Sequence, residues 1–143
     1  EGTWEGGKEK APAAICRKVA NACEEDSIEV WGDGLQTRSF LYIDECIEAT
    51  RRLMESDCTE PINIGSEEMV TINQLVDITA KVAGKKITKD HVDGPLGVRG
   101  RNSNNDLVRE KLGWDYTMTL EEGIKKTYEW IRWQVSKQIY AEV

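Results

Sequence analysis

Three cationic side chains of this 143-residue chain occupy positions where they could take part in chemistry. Lys10 precedes Pro12, and because proline favours the first turn of a helix, we expect Lys10 at a helix N-terminus. The positive field of that terminus disfavours a second positive charge, which favours the neutral amine that proton transfer needs. Arg38 and Arg101 carry planar donor groups that suit a phosphate or a carboxylate. From the residues alone, ordinary surface charge is the default interpretation of all three.

The elements around Arg38 are predicted to form a hairpin followed by a helix. Residues 28–31 predict a short strand, and Asp33-Gly34 is a tight-turn signal because glycine accepts positive φ. The apolar, β-prone residues 40–43 predict the second strand. We expect Asp44 to cap the helix that follows by accepting backbone N–H bonds. In this arrangement Arg38 lies between a rigid turn and a strand.

Helical and strand patterns alternate along the rest of the chain. The first helix is predicted over residues 12–23. A helix over 44–54 is expected to turn one face inward, formed by Ile47, Thr50, Leu53 and Met54. The apolar run 61–66 predicts a buried strand in a parallel sheet. Capping boxes predict helix starts at Thr71 and Thr119. Further patterns predict a strand over 87–92, a short helix over 106–112 and a last helix with an apolar stripe from Leu120.

Composition and charge narrow the class of protein. The length fits one domain of ordinary size, and 39% hydrophobic residues suffice for a core. The net charge of −7 argues against general nucleic-acid binding. No run approaches the roughly 20 apolar residues of a membrane span, so we expect no membrane association. None of the four cysteines forms a C-x-x-C pair and there is one histidine, so we expect no metal site and a cytoplasmic protein with reduced thiols.

The glycine-spaced segment 94–100 imitates a dinucleotide-binding loop. Such a loop needs a strand directly before it and a helix directly behind it. Pro95, Arg99 and Arg101 instead predict an extended basic loop. We therefore expect no cofactor-binding residues in this chain.

Three segments carry a resemblance to a known family. They are W-G-D-G-L-Q-T-R-S-F-L-Y-I-D at 31–44, G-T-W-E-G-G-K-E-K-A-P-A-A-I-C-R-K at 2–18 and V-R-G-R-N-S-N-N at 98–105. The first resembles the nucleotide-sugar-binding half of extended short-chain dehydrogenases/reductases. The other two resemble the branch of that family that epimerises GDP-mannose at C3 and C5. The resemblance implies that residues 1–143 form the α/β C-terminal substrate-binding domain, a small sheet with flanking helices, and that an N-terminal NAD-binding Rossmann domain is absent from this chain.

The resemblance also assigns roles to residues of this chain. It implies that Lys10 is one of two proton-transfer residues, the other being a cysteine of the preceding domain. It implies that Arg38 and Arg101 hold the nucleotide diphosphate and that Glu9 orients the substrate. The other implied substrate contacts are Ala11, Lys18, Gln36 and Thr37.

The reaction implied for the complete enzyme converts GDP-mannose to GDP-L-galactose, a step of ascorbate biosynthesis. NAD would oxidise C4 to a ketone, which acidifies the neighbouring C–H bonds, and the complete enzyme would be a homodimer. We expect the chain alone to be inactive, because no tyrosine is followed four positions later by a lysine, the pair that the family uses for hydride chemistry. Two alternatives stay open: another nucleotide-sugar epimerase, decarboxylase or dehydratase, and a non-catalytic nucleotide-sugar-binding or dimerisation module.

Overall fold

The computed structural model describes residues 3–95 and 97–141, and of residues 139–141 it describes the backbone alone. In these ranges, helices and strands alternate along the chain. In chain order they are α1 (Ala11–Asn21), β1 (Glu25–Trp31), β2 (Thr37–Ser39), α2 (Ile43–Met54), β3 (Met69–Thr71), α3 (Ile72–Ala83), β4 (Lys86–Val92), β5 (Gly100–Arg101), α4 (Asp106–Leu112) and α5 (Leu120–Ala141).

Local sequence signals set the ends of two long helices. The capping box predicted at the start of α3 is confirmed, since the Thr71 hydroxyl accepts from the Gln74 amide at 3.0 Å and the Gln74 side chain accepts from the Thr71 amide at 2.8 Å. Gly84 ends that helix in the left-handed region, at φ 67°. The second box is also confirmed: Glu122 accepts from the Thr119 amide at 2.8 Å and donates its own amide to the Thr119 hydroxyl at 3.3 Å.

The strands form two small sheets. β1 pairs in parallel with β4, from Glu25 opposite Lys86 to Trp31 opposite Val92. β2 lies between β3, which is antiparallel to it, and β5, which is parallel to it. The turn at Asp33-Gly34 therefore connects two sheets. The predicted hairpin is wrong, because both strands beside this turn pair with partners that are distant in the sequence.

The predicted strand over 40–43 is also wrong. The strand in this region is β2 at Thr37–Ser39, whose register is set by hydrogen bonds to its two neighbouring strands and not by the apolar run behind it. The helix that follows begins at Ile43, with Tyr42 as its N-cap residue. Asp44 lies in the first turn of α2 and is not its cap, which corrects the sequence prediction.

Residues 61–66 form no strand in the described part of the chain. A strand requires a neighbour that supplies the ladder hydrogen bonds, and this extended segment has none among the described residues. Its apolar side chains Ile62 and Ile64 instead pack against a small second core, whose buried members are Ala49, Val108 and Trp114. The predicted parallel strand is therefore wrong for this chain.

Helix α2 turns a different face inward from the one predicted. Ala49 is its buried residue and packs against Trp114 and α4. Ile47 and Met54, predicted to face inward, are 59% and 81% exposed. Leu53 is partly buried, so the inward stripe is displaced around the helix from the predicted one.

The main core lies between α1, α3, α5 and the strand β1. The apolar stripe predicted on the last helix is confirmed as part of it. Its buried residues are Ile15, Cys16, Val19, Ile28, Val30, Val70, Leu75, Val76, Leu120, Ile124, Tyr128, Ile131 and Val135. Ile139 of the predicted stripe lies outside the residues whose side chains are described. The fold is α/β, with small sheets and flanking helices, as expected.

Among the described residues, no helix combines the length and the apolar character of a membrane-spanning helix.

Candidate functional site

Lys10 is the N-cap residue of α1. Its backbone is extended, at φ −81° and ψ 162°, and its carbonyl accepts the first helical hydrogen bond from the Ala14 amide at 2.9 Å. The first turn of α1 carries no acidic residue, so the positive end of the helix dipole is not neutralised locally. The Lys10 side chain is exposed. An amine in this position is accessible to a ligand for proton transfer.

The loop that leads to Lys10 is attached to α5 at two points. Trp4 lies edge-on to Trp130, with ring centroids 6.3 Å apart and planes at 88°. Glu5 accepts a hydrogen bond from the Gln138 side-chain amide at 2.9 Å. These contacts hold the loop on the surface of the last helix.

Glu9 turns its carboxylate toward α1 and away from solvent. Its Oε1 accepts a hydrogen bond from Arg17 Nη2 at 2.6 Å, and its side chain is 5% exposed. The backbone N–H of Glu9, the Arg17 guanidinium and the backbone N–H of Gly7 hold the pKa of this carboxyl below its usual value. The carboxylate is therefore ionised at neutral pH, and its predicted role in orienting a substrate stays a prediction.

Lys18 connects α1 to β1. Its Nζ donates to the backbone carbonyl of Glu29 at 2.8 Å, and a carboxylate oxygen of the same residue lies 4.0 Å away. Ala11 is the first residue of α1 and is half-buried. The substrate contacts predicted for Lys18 and Ala11 stay predictions, but their helix is in direct contact with the strand that leads to Arg38.

Arg38 and Arg101 are brought together by the fold. They are opposite each other in the parallel ladder between β2 and β5, where facing residues project from the same face of the sheet. Arg38 Nη1 donates to the Thr37 carbonyl at 2.6 Å, and its Nη2 donates to the Val98 carbonyl. Arg101 is exposed, and within residues 3–95 and 97–141 its guanidinium has no hydrogen-bond partner. The pair forms a local cationic surface on an otherwise acidic chain.

Gln36 and Thr37 lie directly before Arg38. Gln36 is buried and donates from Nε2 to the Trp31 carbonyl at 3.2 Å, while its Oε1 is buried without a partner among the described residues. Because an unsatisfied buried acceptor is costly, this oxygen would gain from a donor on a bound ligand. The Thr37 amide is already used, since it donates to the Arg99 carbonyl at 2.9 Å.

An ion pair that the sequence analysis missed attaches the Arg101 loop to the turn before β2. Arg99 Nη1 lies 3.1 Å and 2.9 Å from the two carboxylate oxygens of Asp33, which also accepts from the Leu35 amide at 2.9 Å. The Leu35 amide and the Arg99 guanidinium lower the pKa of Asp33. In the sequence, only the charge of Asp33 could have indicated this ion pair. The turn pattern accounts for the glycine at position 34 and says nothing about a partner for Asp33.

Asn73, at the start of α3, closes the same turn from the other side. Its side-chain amide donates to the Asp33 carbonyl at 3.0 Å, and its backbone amide donates to the Gly34 carbonyl at 3.0 Å. Gly34 has φ 66°, and a Cβ added there would lie 2.1 Å from Asn73 Oδ1. A glycine is therefore required at this position for two independent reasons.

The glycine-spaced segment 94–100 lacks the surroundings of a dinucleotide-binding loop. The loop that follows β4 leads into β5, and the next helix begins only at Asp106, so no helix opens directly behind the glycines. Leu96, within this loop, lies outside the described residues. No group of three or more His, Cys, Asp or Glu side chains in the described ranges could hold a metal ion, and the four cysteines are free thiols.

Comparisons with known proteins relate this chain to a family. Residues 4–127 match the sequence model of the family described as GDP-mannose 4,6-dehydratase. The chain is 54% identical over 137 residues to GDP-mannose 3,5-epimerase of Arabidopsis thaliana, covering 96% of this chain and 36% of that protein. It is 30% identical over 119 residues to UDP-glucuronate 4-epimerase of Thermodesulfobacterium geofontis, covering 82% of this chain and 37% of that protein. The chain thus spans little more than a third of the length of these relatives.

A solved structure agrees with the sequence relatives. It is a UDP-glucuronic acid 4-epimerase variant from Bacillus cereus, in complex with UDP-4-deoxy-4-fluoro-glucuronic acid and NAD. The TM-score is 0.79 at 26% sequence identity, and the match covers 88% of this chain and 40% of the epimerase chain. The chain therefore belongs to the GDP-mannose 4,6-dehydratase family, within the extended short-chain dehydrogenases/reductases.

Proposed function

We propose that this chain is the C-terminal, nucleotide-sugar-binding part of a GDP-mannose 3,5-epimerase, which converts GDP-mannose to GDP-L-galactose. The observation that carries the proposal is that Arg38 and Arg101 face each other across one ladder, since two arginines that project from one face of a sheet suit a diphosphate. The higher identity to GDP-mannose 3,5-epimerase, 54% against 30% for UDP-glucuronate 4-epimerase, favours this reaction within the family.

In this proposal Lys10 moves the proton. Epimerisation beside a ketone requires a base at the carbon that loses its proton and stabilisation of the enolate that forms. We assign the first requirement to Lys10, because it is an exposed residue at the N-terminus of α1. Arg38 and Arg101 hold the diphosphate. The remaining substrate contacts are Ala11, Lys18, Gln36 and Thr37, while Glu9 acts on the substrate indirectly, through the loop that carries Lys10.

The other parts of the proposal concern the complete protein. NAD would be held by an N-terminal Rossmann domain, since the loop between β4 and β5 has no helix directly behind its glycines. The complete protein would be a cytoplasmic homodimer in ascorbate biosynthesis, without a nucleic-acid or membrane partner. Residues 1–143 would serve as its substrate domain.

A non-catalytic nucleotide-sugar-binding or dimerisation module is the second candidate. It is favoured by one sequence observation: no tyrosine of this chain is followed four positions later by a lysine. Such a module would bind GDP-mannose through the two arginines without turning it over.

The test is a chimaera in which this chain replaces the matching part of the Arabidopsis thaliana epimerase. We expect the Lys10→Ala chimaera to bind GDP-mannose with unchanged affinity. The rate at which solvent deuterium exchanges into C3 and C5 should fall by about 100-fold, the usual contribution of a general base. We expect Arg38→Ala to weaken GDP-mannose binding by about 2–5 kcal/mol, because it removes a charged partner of the diphosphate.

Lys8→Ala is the matched control, since Lys8 is an exposed lysine of the same loop. Deuterium exchange at the unsubstituted rate in Lys10→Ala would contradict the role of Lys10. An unchanged Kd in Arg38→Ala would contradict the diphosphate site. A chimaera that binds GDP-mannose through Arg38 but shows neither exchange nor turnover would support the binding module.

A further inference from the structure

A shielded ion pair lies directly behind the proposed proton-transfer lysine. Glu9, the residue before Lys10, pairs with Arg17 at 2.6 Å, eight positions further along the chain. Arg17 belongs to the second turn of α1, so the pair joins the body of the helix to the residue that precedes its N-cap. We propose that Arg17 is a positioning residue that holds Lys10 in place through Glu9. This inference rests on the proposed role of Lys10.

The burial of the pair argues against direct contact between Glu9 and a substrate. The Glu9 side chain is 5% exposed, and its Oε2 is buried without a hydrogen-bond partner among the described residues. Arg17 Nε is buried in the same way, while the whole Arg17 side chain is 30% exposed. A ligand could reach this carboxylate only if the pair opened. Glu9 therefore acts on the loop, and its charge is balanced by Arg17.

The loop before Lys10 needs such an attachment. Gly6 and Gly7 have φ values of 85° and 82°, and a Cβ added to either would meet no atom within 4 Å. Since nothing crowds these glycines and glycine has the widest choice of backbone conformations, their own sterics do not fix the path to Lys10. The Glu9–Arg17 pair fixes the path of the backbone between these glycines and the helix. Breaking one member would leave a shielded, unpaired charge, which drives the loop to rearrange.

The consequence for catalysis is a loss of placement without a loss of affinity. A reacting group displaced by about 1 Å can cost 100-fold in rate, whereas diphosphate binding by Arg38 and Arg101 involves other elements. In the chimaera we expect Arg17→Met to lower kcat by about 100-fold while the KM for GDP-mannose changes less than about twofold. Arg17→Lys keeps the charge but not the planar donor group, so it should recover part of kcat.

A second measurement uses the 143-residue chain itself and needs no activity. We expect Arg17→Met to speed amide hydrogen exchange at residues 7–10 by about tenfold, as local opening becomes easier. Glu9→Gln removes the charge with little change in shape, so it should give the same pattern and serves where Arg17→Met does not fold. Arg132→Met, an exposed arginine of α5, is the control and should leave both measurements unchanged.

The outcomes separate this inference from the proposed function. Equal kcat and equal hydrogen exchange in Arg17→Met and Arg132→Met would overturn the positioning role. A raised KM at unchanged kcat in Glu9→Gln would overturn it too, by making Glu9 a substrate contact. If Lys10→Ala proves fully active, the proposed function fails, and the exchange rates of residues 7–10 still decide whether Arg17 holds the loop.

Discussion

Gly34 is the single residue on which the turn before β2 depends most. It combines a left-handed backbone, φ 66°, with the close approach of the Asn73 side chain. Gly34→Ala adds left-handed strain of about 1–2 kcal/mol and an overpacking cost of about 1–3 kcal/mol. We therefore expect a loss of about 2–5 kcal/mol in the free energy of unfolding, measured by urea denaturation of the 143-residue chain.

Gly84→Ala is the control for the backbone component alone. Gly84 has φ 67°, almost the same as Gly34, but an added Cβ there meets nothing within 4 Å. Its expected loss is about 1–2 kcal/mol, from strain without crowding. Equal losses at the two glycines would show that Asn73 moves aside freely, which would contradict its role in closing the turn.

Among the elements, α1 depends on a cation outside itself for its C-terminal end. Lys85 Nζ donates to the carbonyls of Val19, Ala20 and Ala22, at 2.8, 3.2 and 2.7 Å. A cation there interacts favourably with the negative end of the helix dipole and with acceptors that have no intrahelical partner. Lys85→Met removes both effects. We expect a loss of about 1–3 kcal/mol in the free energy of unfolding, followed by circular dichroism in urea.

The neighbouring Lys86 provides the matched control. Its side chain is 86% exposed and pairs with Glu25 across the β1–β4 ladder at 3.2 Å. Exposed ion pairs contribute little, so Lys86→Met should change the free energy of unfolding by less than about 1 kcal/mol. If Lys86→Met lost as much stability as Lys85→Met, the effect of Lys85→Met could not be assigned to the hydrogen bonds between Lys85 and the end of α1.

The same elements separate what the sequence could predict from what it could not. The start of α3 was predictable because Thr71 and Gln74 are neighbours in the chain and each satisfies the other's amide. Strand pairing was not, since Glu25 and Lys86 face each other from positions 61 apart. The end of β2 before residues 40–43 follows from its pairing with β3 and β5, so the local β propensity of these residues was misleading.

The candidate site also contains parts that the sequence could predict and parts that it could not. Lys10, Arg38 and Arg101 could be selected from motifs, because each motif is a continuous stretch of sequence. The ion pair that attaches the Arg101 segment to the turn before β2 could not be predicted, because Arg99 and Asp33 are 66 positions apart and nothing local marks them as partners. The inward face of α2 was also predicted wrongly, because the periodicity of its apolar residues does not show which neighbouring element covers the helix.

At the scale of the whole molecule, carboxylates with lowered pKa values link stability to acidity. They are Glu9, Asp33, Glu48, Glu67, Asp115 and Glu122. Arginines or amide donors favour the ionised form of each, and for Glu48 the arginines Arg51 and Arg52 lower the pKa to about 2. Because the folded pKa lies below the unfolded value, each group contributes stability above about pH 4 that is lost as pH falls through the folded value.

We therefore expect the free energy of unfolding to decrease from about pH 4.5 down to about pH 2, as these carboxylates become protonated. Glu67 is the best residue with which to test this, since both its oxygens contact Arg109, at 3.2 and 2.6 Å. Glu67→Gln should show a shallower decrease in urea titrations between these pH values. Glu60→Gln, at an exposed position, is the control. The same slope in both variants would contradict the linkage.

The isolated chain tests the proposed division of labour in the complete protein. Incubated with GDP-mannose and NAD, the 143-residue chain should yield no GDP-L-galactose, because the proposed function places NAD and the second proton-transfer residue in another domain. Product analysis by chromatography would detect turnover, with the active chimaera as the positive control. Clear conversion by the pure chain would contradict the assignment of NAD binding to another domain.

The contact between α1 and α5 has a consequence for the order in which the protein folds. The first helix packs on the last, and Glu5 and Gln138 are hydrogen-bonded across 133 positions. The entropy of closing so long a loop must be overcome before these contacts stabilise anything. During synthesis, Ile15 and Val19 on α1 can therefore reach their buried environment only after α5 has left the ribosome. Until then the part of α1 that packs on α5 stays uncovered, which is the kind of apolar surface that chaperones bind.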